Sequence, residues 1–210
     1  MLHEISKALV DGDMPEVKRL TEEALRDGVK PVVIVNKGLI LGMDVVGIRF
    51  KKKEISVPEV LMSARAMHAS LEILKPLLSR SDMEPLGVIA IGTVKGDIHD
   101  IGKNLVAMML EGAGFRVIDI GIDVPSERFV EIVREKKPDI LGLSALLNVT
   151  LSSMKDTIEA LENAGVKGDV KVMVGGAPVT QEFADEIKAD AYARDAREAV
   201  LKAKELLGLG

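Results

Sequence analysis

Cysteine is absent from the 210 residues, and so is tryptophan. Without thiols there is no disulfide, no zinc–thiolate centre and no iron–sulfur cluster. Aromatic side chains make up 2% of the chain, with one Tyr and four Phe, so any core is aliphatic. Apolar residues still reach 47%, which is enough for a sizeable one. Positive charge is in deficit, with 28 Lys and Arg against 33 Asp and Glu. A chain of net charge −5 does not offer the basic face that nucleic acid requires. No apolar run approaches the roughly 18 residues of a membrane span. The N-terminus, MLHEISKALVDGD, is acidic early and has no signal-peptide core. A cytoplasmic protein is expected, with neither nucleic acid nor membrane as partner.

The length fits one large domain or two smaller ones. The first 80 or so residues read as helices. Residues 13–27 start at Asp13 as N-cap, place Val17, Leu20 and Ala24 on one face, and stop at Gly28. Residues 31–48 carry two signals: VVIV is strand-like, whereas Leu39, Met43 and Val46 have helical spacing. Residues 56–78 give a helix opened by a Ser56–Glu59 capping box with Pro58 in the first turn. The polar stretch 79–85 (SRSDMEP) marks the boundary between a helical domain, 1–83, and a second domain, 84–210.

From there strand and helix alternate. Apolar strands are expected at 86–92, 115–121, 139–145, 170–176 and 189–193. Helices fall between and after them, at 102–113, 125–137, 150–164, 180–187 and 195–207. This pattern is α/β: a doubly wound parallel five-stranded sheet, for which the flavodoxin-like order 2-1-3-4-5 is the common arrangement.

Ligands of such sheets bind beyond the carboxyl ends of strands, where the order reverses. The first strand is followed there by GTVKGDIHDIG (92–102), the third runs into Ser144, and the fourth ends in Gly175–Gly176. A metal-binding imidazole needs an acceptor for its second N–H, and Asp97 stands two residues before His99. Ser144 can extend this to a Ser–Asp–His chain. The plainer reading is a solvated loop histidine beside an N-cap aspartate, with Ser144 a cap and the glycines a turn. Three distant histidines do not make a zinc site, and the G-x-S-x-G turn of a Ser–His–Asp hydrolase is missing. One axial imidazole for a cofactor that brings its own equatorial ligands fits the inventory better.

GTVKGDIHDIGKN (92–104), S-x-L at 144–146 and GG at 175–176 resemble the cobalamin-binding domain of methionine synthase and of the corrinoid proteins in methanol, methylamine and methoxyarene methyltransferase systems. GMDVVGIRF (42–50) with ISVPEVLMSARAM (55–67) resembles their four-helix cap, so the likeness covers most of the chain. It implies cobalamin or a related cobamide as cofactor, with His99 as axial cobalt ligand and Asp97 and Ser144 completing a ligand triad. It also implies cofactor contacts from Gly96, Ile98, Asp100, Ile101 and Gly102 in the loop, and from Leu146, Gly175, Gly176 and Tyr192 around the nucleotide slot. Phe50 and Val57 match the cap positions over the upper cobalt face, where methionine synthase has leucine in place of Val57. Val60 is a further candidate for that contact.

The implied function is a methyl carrier. It takes a methyl group on cob(I)alamin from a substrate methyltransferase and passes it to a second methyltransferase serving a thiol or tetrahydrofolate. A reductive activase is a third implied partner. The chain ends soon after the last strand, so the catalytic and activation modules are expected in separate proteins. The alternatives are the cobalamin subunit of an adenosylcobalamin-dependent mutase, whose modules lack this cap, and a cobalamin sensor, which would carry a basic DNA-binding module. His68, on the apolar stripe of 56–78, is expected to be a packed core histidine, His3 a solvated terminal residue, and Arg49 with Lys51, Lys52 and Lys53 a solvated turn. Lys103 and Asn104 are expected to be structural.

Overall fold

The computed structural model describes residues 1–77 and 84–209, with backbone alone at Lys51 and Lys75. It divides into two compact units, Met1–Pro85 with Glu111–Gly114, and Leu86–Leu110 with Phe115–Gly210. Most of the linker expected at 79–85, and the boundary after residue 83, lie outside the described residues.

The first unit is helical: α1 (Leu2–Val10), α2 (Met14–Arg26), α3 (Pro31–Ile34), a π-helical segment (Val35–Ile40), α4 (Leu41–Lys51) and α5 (Val57–Leu74). Asp13 caps α2 by accepting from Glu16 N at 3.1 Å, and Pro15 sits in the first turn. At α5 the Glu59 carboxylate accepts from both Ser56 N (2.7 Å) and Ser56 Oγ (2.6 Å). The two signals in residues 31–48 resolve as helix. Ile34, Leu39, Met43 and Val46 are all buried, and that burial outweighs the strand preference of the β-branched run. By length and composition Pro31–Phe50 meets the test for a membrane span, with mean hydropathy 1.7, which corrects the expectation that no run comes near one. Its buried positions have the spacing of a core helix. Inside the unit Thr21 Oγ1 donates to Val17 O and lies 2.7 Å from Ser70 Oγ, so α2 and α5 share a satisfied polar contact.

The second unit is the expected sheet. Strands β1 (Val88–Val94), β2 (Arg116–Val124), β3 (Ile140–Ser144), β4 (Lys171–Gly175) and β5 (Ala191–Ala193) run parallel in the order β2-β1-β3-β4-β5. They alternate with α6 (Ile101–Gly112), α7 (Ser126–Lys136), α8 (Leu151–Asn163), α9 (Gln181–Glu186) and α10 (Ala196–Leu206). The central strands are almost continuously buried, as helices on both faces require. Phe129 is fully buried against β1, where a Cβ at Gly92 would come within 2.9 Å of its ring. Burying such a ring stabilises by about 1.5–3 kcal/mol. Gly92 is thus a strand residue with a packing reason, and β1 continues to Val94 rather than stopping at residue 92.

Candidate functional site

The strand register brings the singled-out residues to one edge. Thr93 pairs with Ser144, Ser144 with Gly175, and Gly175 with Ala193, a row across β1, β3, β4 and β5 at their carboxyl ends. Beyond this row lie the β1–α6 loop and the β3–α8 connection, on either side of the point where strand order reverses.

Asp97 holds the two loops together. It is fully buried, and both its oxygens are saturated. Oδ1 accepts from His99 N at 3.0 Å and pairs with His99 Nδ1 at 2.7 Å. Oδ2 accepts from Leu146 N (2.7 Å), Leu147 N (3.2 Å) and Thr150 Oγ1 (2.9 Å). Burial alone would push this carboxyl upward. The N–H donors of Leu146 and His99, the imidazole and the Thr150 hydroxyl outweigh that and hold it well below the usual carboxylate range.

An ionised carboxylate can only accept, so His99 Nδ1 carries a proton, and in the neutral ring this leaves the lone pair on Nε2. The His99 side chain is 46% exposed, and Nε2 has no protein partner among the described residues. Thr93, fully buried, donates to the His99 carbonyl at 2.9 Å and fixes the residue from the other side. The ring is therefore oriented as a nitrogen ligand before anything binds.

Large apolar side chains stand exposed on the same two loops and at the start of α6: Ile98 is 68% exposed, Ile101 75% and Val149 81%, with Leu146 and Leu147 also exposed. Apolar surface of this size beside a polar group marks a binding face. A Cβ at Gly102 would meet nothing within 4 Å, so the start of α6 is open too.

Ser144 does not join the triad expected of it. As the last residue of β3 it makes no hydrogen bond to Asp97; the hydroxyl on Asp97 is that of Thr150, six residues on. Gly175 and Gly176 have reasons within the protein. A Cβ at Gly175 would lie 2.8 Å from the Ala193 carbonyl oxygen, and one at Gly176, whose φ is +132°, would overlap the Ala145 carbonyl. Gly96 adopts φ +82°, and Asp100 accepts from Asn104 Nδ2 at 3.1 Å at the start of α6. Tyr192 is half-buried in β5 beside Val174, and burial, then the Glu198 carboxylate, raises its phenol. Lys103, 2% exposed, is a structural cation with both Asp119 oxygens at 2.6 Å.

In the helical unit Phe50 and Val57 are half-buried, whereas Val60 has no exposed surface, so only the first two have side-chain area left to offer a ligand. The expectation for His68 is corrected: its side chain is 52% exposed, and its Nε2 lies 3.1 Å from Glu111 Oε2. Thr93, Leu147 and Thr150 belong to the site and were not expected from sequence.

Among the described residues no three His, Cys, Asp or Glu side chains converge on a point that could hold a bare metal ion. One half-exposed imidazole, fixed by a buried carboxylate on loops that also expose large apolar side chains, suits a flat apolar cofactor whose metal has a position to fill. The sheet unit is thus a macrocycle-binding module. Residues 87–201 match the B12 binding domain family, and residues 1–75 match a second family described as a B12 binding domain. The chain belongs to the B12-binding family. It is 47% identical to the dimethylamine corrinoid protein 3 of Methanosarcina acetivorans over 99% of this chain and 97% of that one. It superposes on the methanol:cobalamin methyltransferase complex MtaBC of Methanosarcina barkeri with TM-score 0.89 and 30% identity, covering 99% of this chain and 79% of that one. A cobalamin-binding protein of Desulfitobacterium hafniense DCB-2 gives TM-score 0.83 and 32% identity, with 98% of each chain covered.

Proposed function

We propose that this protein is a corrinoid methyl carrier of a methyltransferase system, with His99 as the protein's ligand to cobalt. The observation that carries the reading is the ionised, buried Asp97, which accepts a hydrogen bond from His99 Nδ1–H and so turns Nε2 of the half-exposed ring to the outside. When bound, the corrinoid supplies a cobalt centre that accepts a methyl group and gives it up. The chain's own share is narrower. Asp97 sets the tautomer and the orientation of the imidazole. Thr150 and the Leu146 and Leu147 amides keep Asp97 ionised, and Thr93 fixes the His99 backbone. Ile98, Ile101 and Val149 offer apolar contact around it and exclude water once covered.

Ser144, whose hydroxyl has no partner among the described residues, and the open Gly102 are the positions we assign to the displaced nucleotide tail, with Leu146 and Tyr192 beside them. Phe50 and Val57 are assigned to the cap. The partners in this reading are a substrate methyltransferase, a second methyltransferase that delivers to a thiol or tetrahydrofolate, and a reductive activase, all met in the cytoplasm. The relation to corrinoid proteins of methyltransferase systems, and the match of residues 1–75 to a B12 binding domain, support a carrier over a mutase subunit or a sensor.

The test is reconstitution with hydroxocobalamin. The wild type is expected to show the visible spectrum of a tail-displaced, histidine-ligated corrinoid, and His99→Ala is expected to lose it. Identical spectra would remove His99 from cobalt. Protein loaded with methylcobalamin should then methylate a thiol when a partner methyltransferase is added; methylated amines are the first donors to try in the reverse half.

A further inference from the structure

The carboxyl end of β2 is irregular in a way that the sheet does not need. Its pairing with β1 shifts register twice, between Ile91 and Gly92 and again between Gly92 and Val94. Two residues there have left-handed backbone, Gly121 (φ +105°) and Asp123 (φ +51°). A non-glycine residue at positive φ carries strain, although aspartate tolerates it better than most. Register irregularities on edge strands commonly re-aim groups beside a site.

Asp123 uses this geometry to grip one stretch of the His99 loop from both sides. Its carboxylate Oδ1 accepts from Gly96 N at 2.7 Å, and its own N–H donates to the Asp97 carbonyl at 2.9 Å. Gly96 faces it with φ +82°. The backbone that carries Asp97 is therefore held by residue 123, and Asp97 in turn holds His99. The far end of the same loop is tied to the same strand: Lys103 Nζ binds Asp119, whose Oδ1 also accepts from Gly121 N at 2.9 Å.

We infer that Asp123 is a positioning residue for His99, acting through the 96–97 backbone so that the imidazole is presented as a ligand. The inference rests on the reading of His99 as cobalt ligand and names a residue outside the triad that sets how firmly that ligand is offered. The hydrogen bonds of Asp123 go to the loop backbone and not to the imidazole; its effect is on the fraction of protein in which His99 is in place.

The left-handed backbone makes a clean experiment possible. Asp123→Gly removes the carboxylate acceptor while suiting φ +51° better than aspartate does, so the fold is not penalised at that point. Asp123→Asn keeps an acceptor oxygen and tolerates the same backbone. Two readouts are taken. In the cofactor-free protein, amide exchange at Gly96 is followed by NMR, with the β1 and β3 amides as reference. In 15N-histidine-labelled protein reconstituted with cob(II)alamin, the 15N doublet splitting in the EPR spectrum, distinct from the 14N triplet of the cofactor's own base, gives the ratio of histidine-ligated to other cobalt, with His99→Ala as the zero.

Asp123→Gly is expected to speed Gly96 exchange and leave the strands unchanged. It should lower the ligated-to-unligated ratio about fivefold, the effect of losing one exposed charge-assisted hydrogen bond. Asp123→Asn should restore most of both. Nitrogen splitting equal to wild type in Asp123→Gly, or equal loss in Asp123→Gly and Asp123→Asn, overturns the inference while the role of His99 stands. Faster exchange throughout β1 and β3 in Asp123→Gly also overturns it, because Asp123 would then be a general fold residue. A wild type whose spectrum matches His99→Ala removes the proposed ligand itself, and the inference with it, and is told apart by needing no Asp123 variant.

Discussion

Replacing Asp97 by asparagine exchanges one carboxylate oxygen for an amide nitrogen, and the donors around the residue determine the result. Five of them converge on the two oxygens: the N–H groups of His99, Leu146 and Leu147, the Thr150 hydroxyl and His99 Nδ1. The amide has one acceptor atom. Turned so that this atom keeps the three donors on the Oδ2 side, it places its NH2 against His99 N–H and Nδ1. The backbone donor then loses its partner, and the ring relieves the second clash only by accepting at Nδ1, which moves its proton to Nε2. Hydrogen bonds to a charged acceptor contribute about 1.5–3 kcal/mol each. The His99 N–H bond is lost and the Nδ1 bond becomes a neutral one, and the exposure of His99 puts both at the low end, so the cofactor-free variant should be less stable by about 2–3 kcal/mol at neutral pH. The sign of the pH dependence follows from the depressed carboxyl. Its contribution is complete above the unfolded value of about 3.9 and is lost as pH falls through the folded one, which lies lower still. The gap between wild type and variant should thus narrow below about pH 4. Urea unfolding of both proteins across this range measures it, and nitrogen-15 shifts of the His99 ring report the tautomer. A variant within about 0.5 kcal/mol of wild type at neutral pH, or a gap that does not narrow in acid, would refute the assignment of Asp97 as an ionised hub.

The hydroxyl assignment has its own test. Thr150→Val should cost about 1–2 kcal/mol in urea unfolding and lower the histidine-ligated fraction, because it strips a donor from Asp97; Ser144→Ala should stay within about 0.5 kcal/mol in the cofactor-free protein. The reverse ranking would restore Ser144 to the triad. At the other end of the site, Gly176→Ala drives a Cβ into the Ala145 carbonyl at a positive φ and should cost about 3 kcal/mol or more, with poor folding as the visible result. Gly102→Ala meets open space and should leave cofactor-free stability within about 0.5 kcal/mol. If the nucleotide tail passes Gly102 as proposed, that same methyl should weaken corrinoid binding in a titration followed by absorbance.

What could be read from sequence here divides by the range of the interaction. The buried strands announce themselves as apolar runs, and the alternation of strand and helix implies a parallel doubly wound sheet, while the order β2-β1-β3-β4-β5 was expected only as the common arrangement for five strands. The helix starts at Asp13 and Ser56 were legible because a cap is a contact over three residues. The pairing of Asp97 with His99 was legible for the same reason, two residues apart. Residues 31–48 carried strand and helix signals at once, and only the burial of Ile34, Leu39, Met43 and Val46 decides between them. His68 was misjudged because its stripe of neighbours is apolar while its own rotation on α5 leaves it exposed.

Thr150 and Asp123 show why the remainder was hidden. Thr150 lies 53 residues from Asp97, and it reaches the carboxylate because the chain after β3 turns around that group, giving up the N–H of Leu146 and Leu147 first and the hydroxyl last. Before that turn is known, Ser144 at the strand end is the natural choice, and every short-range signal agrees with it. Asp123, 27 residues from Gly96, looks in sequence like any polar residue closing a strand, and its importance comes from a left-handed backbone that no periodicity encodes. Both cases share one physical cause. A buried carboxylate stays charged only if enough donors are delivered to it, and most of them here come from backbone whose course is set elsewhere in the sheet. The imidazole that a motif identifies is thus the visible end of an arrangement whose free energy lies mainly in residues that carry no motif at all.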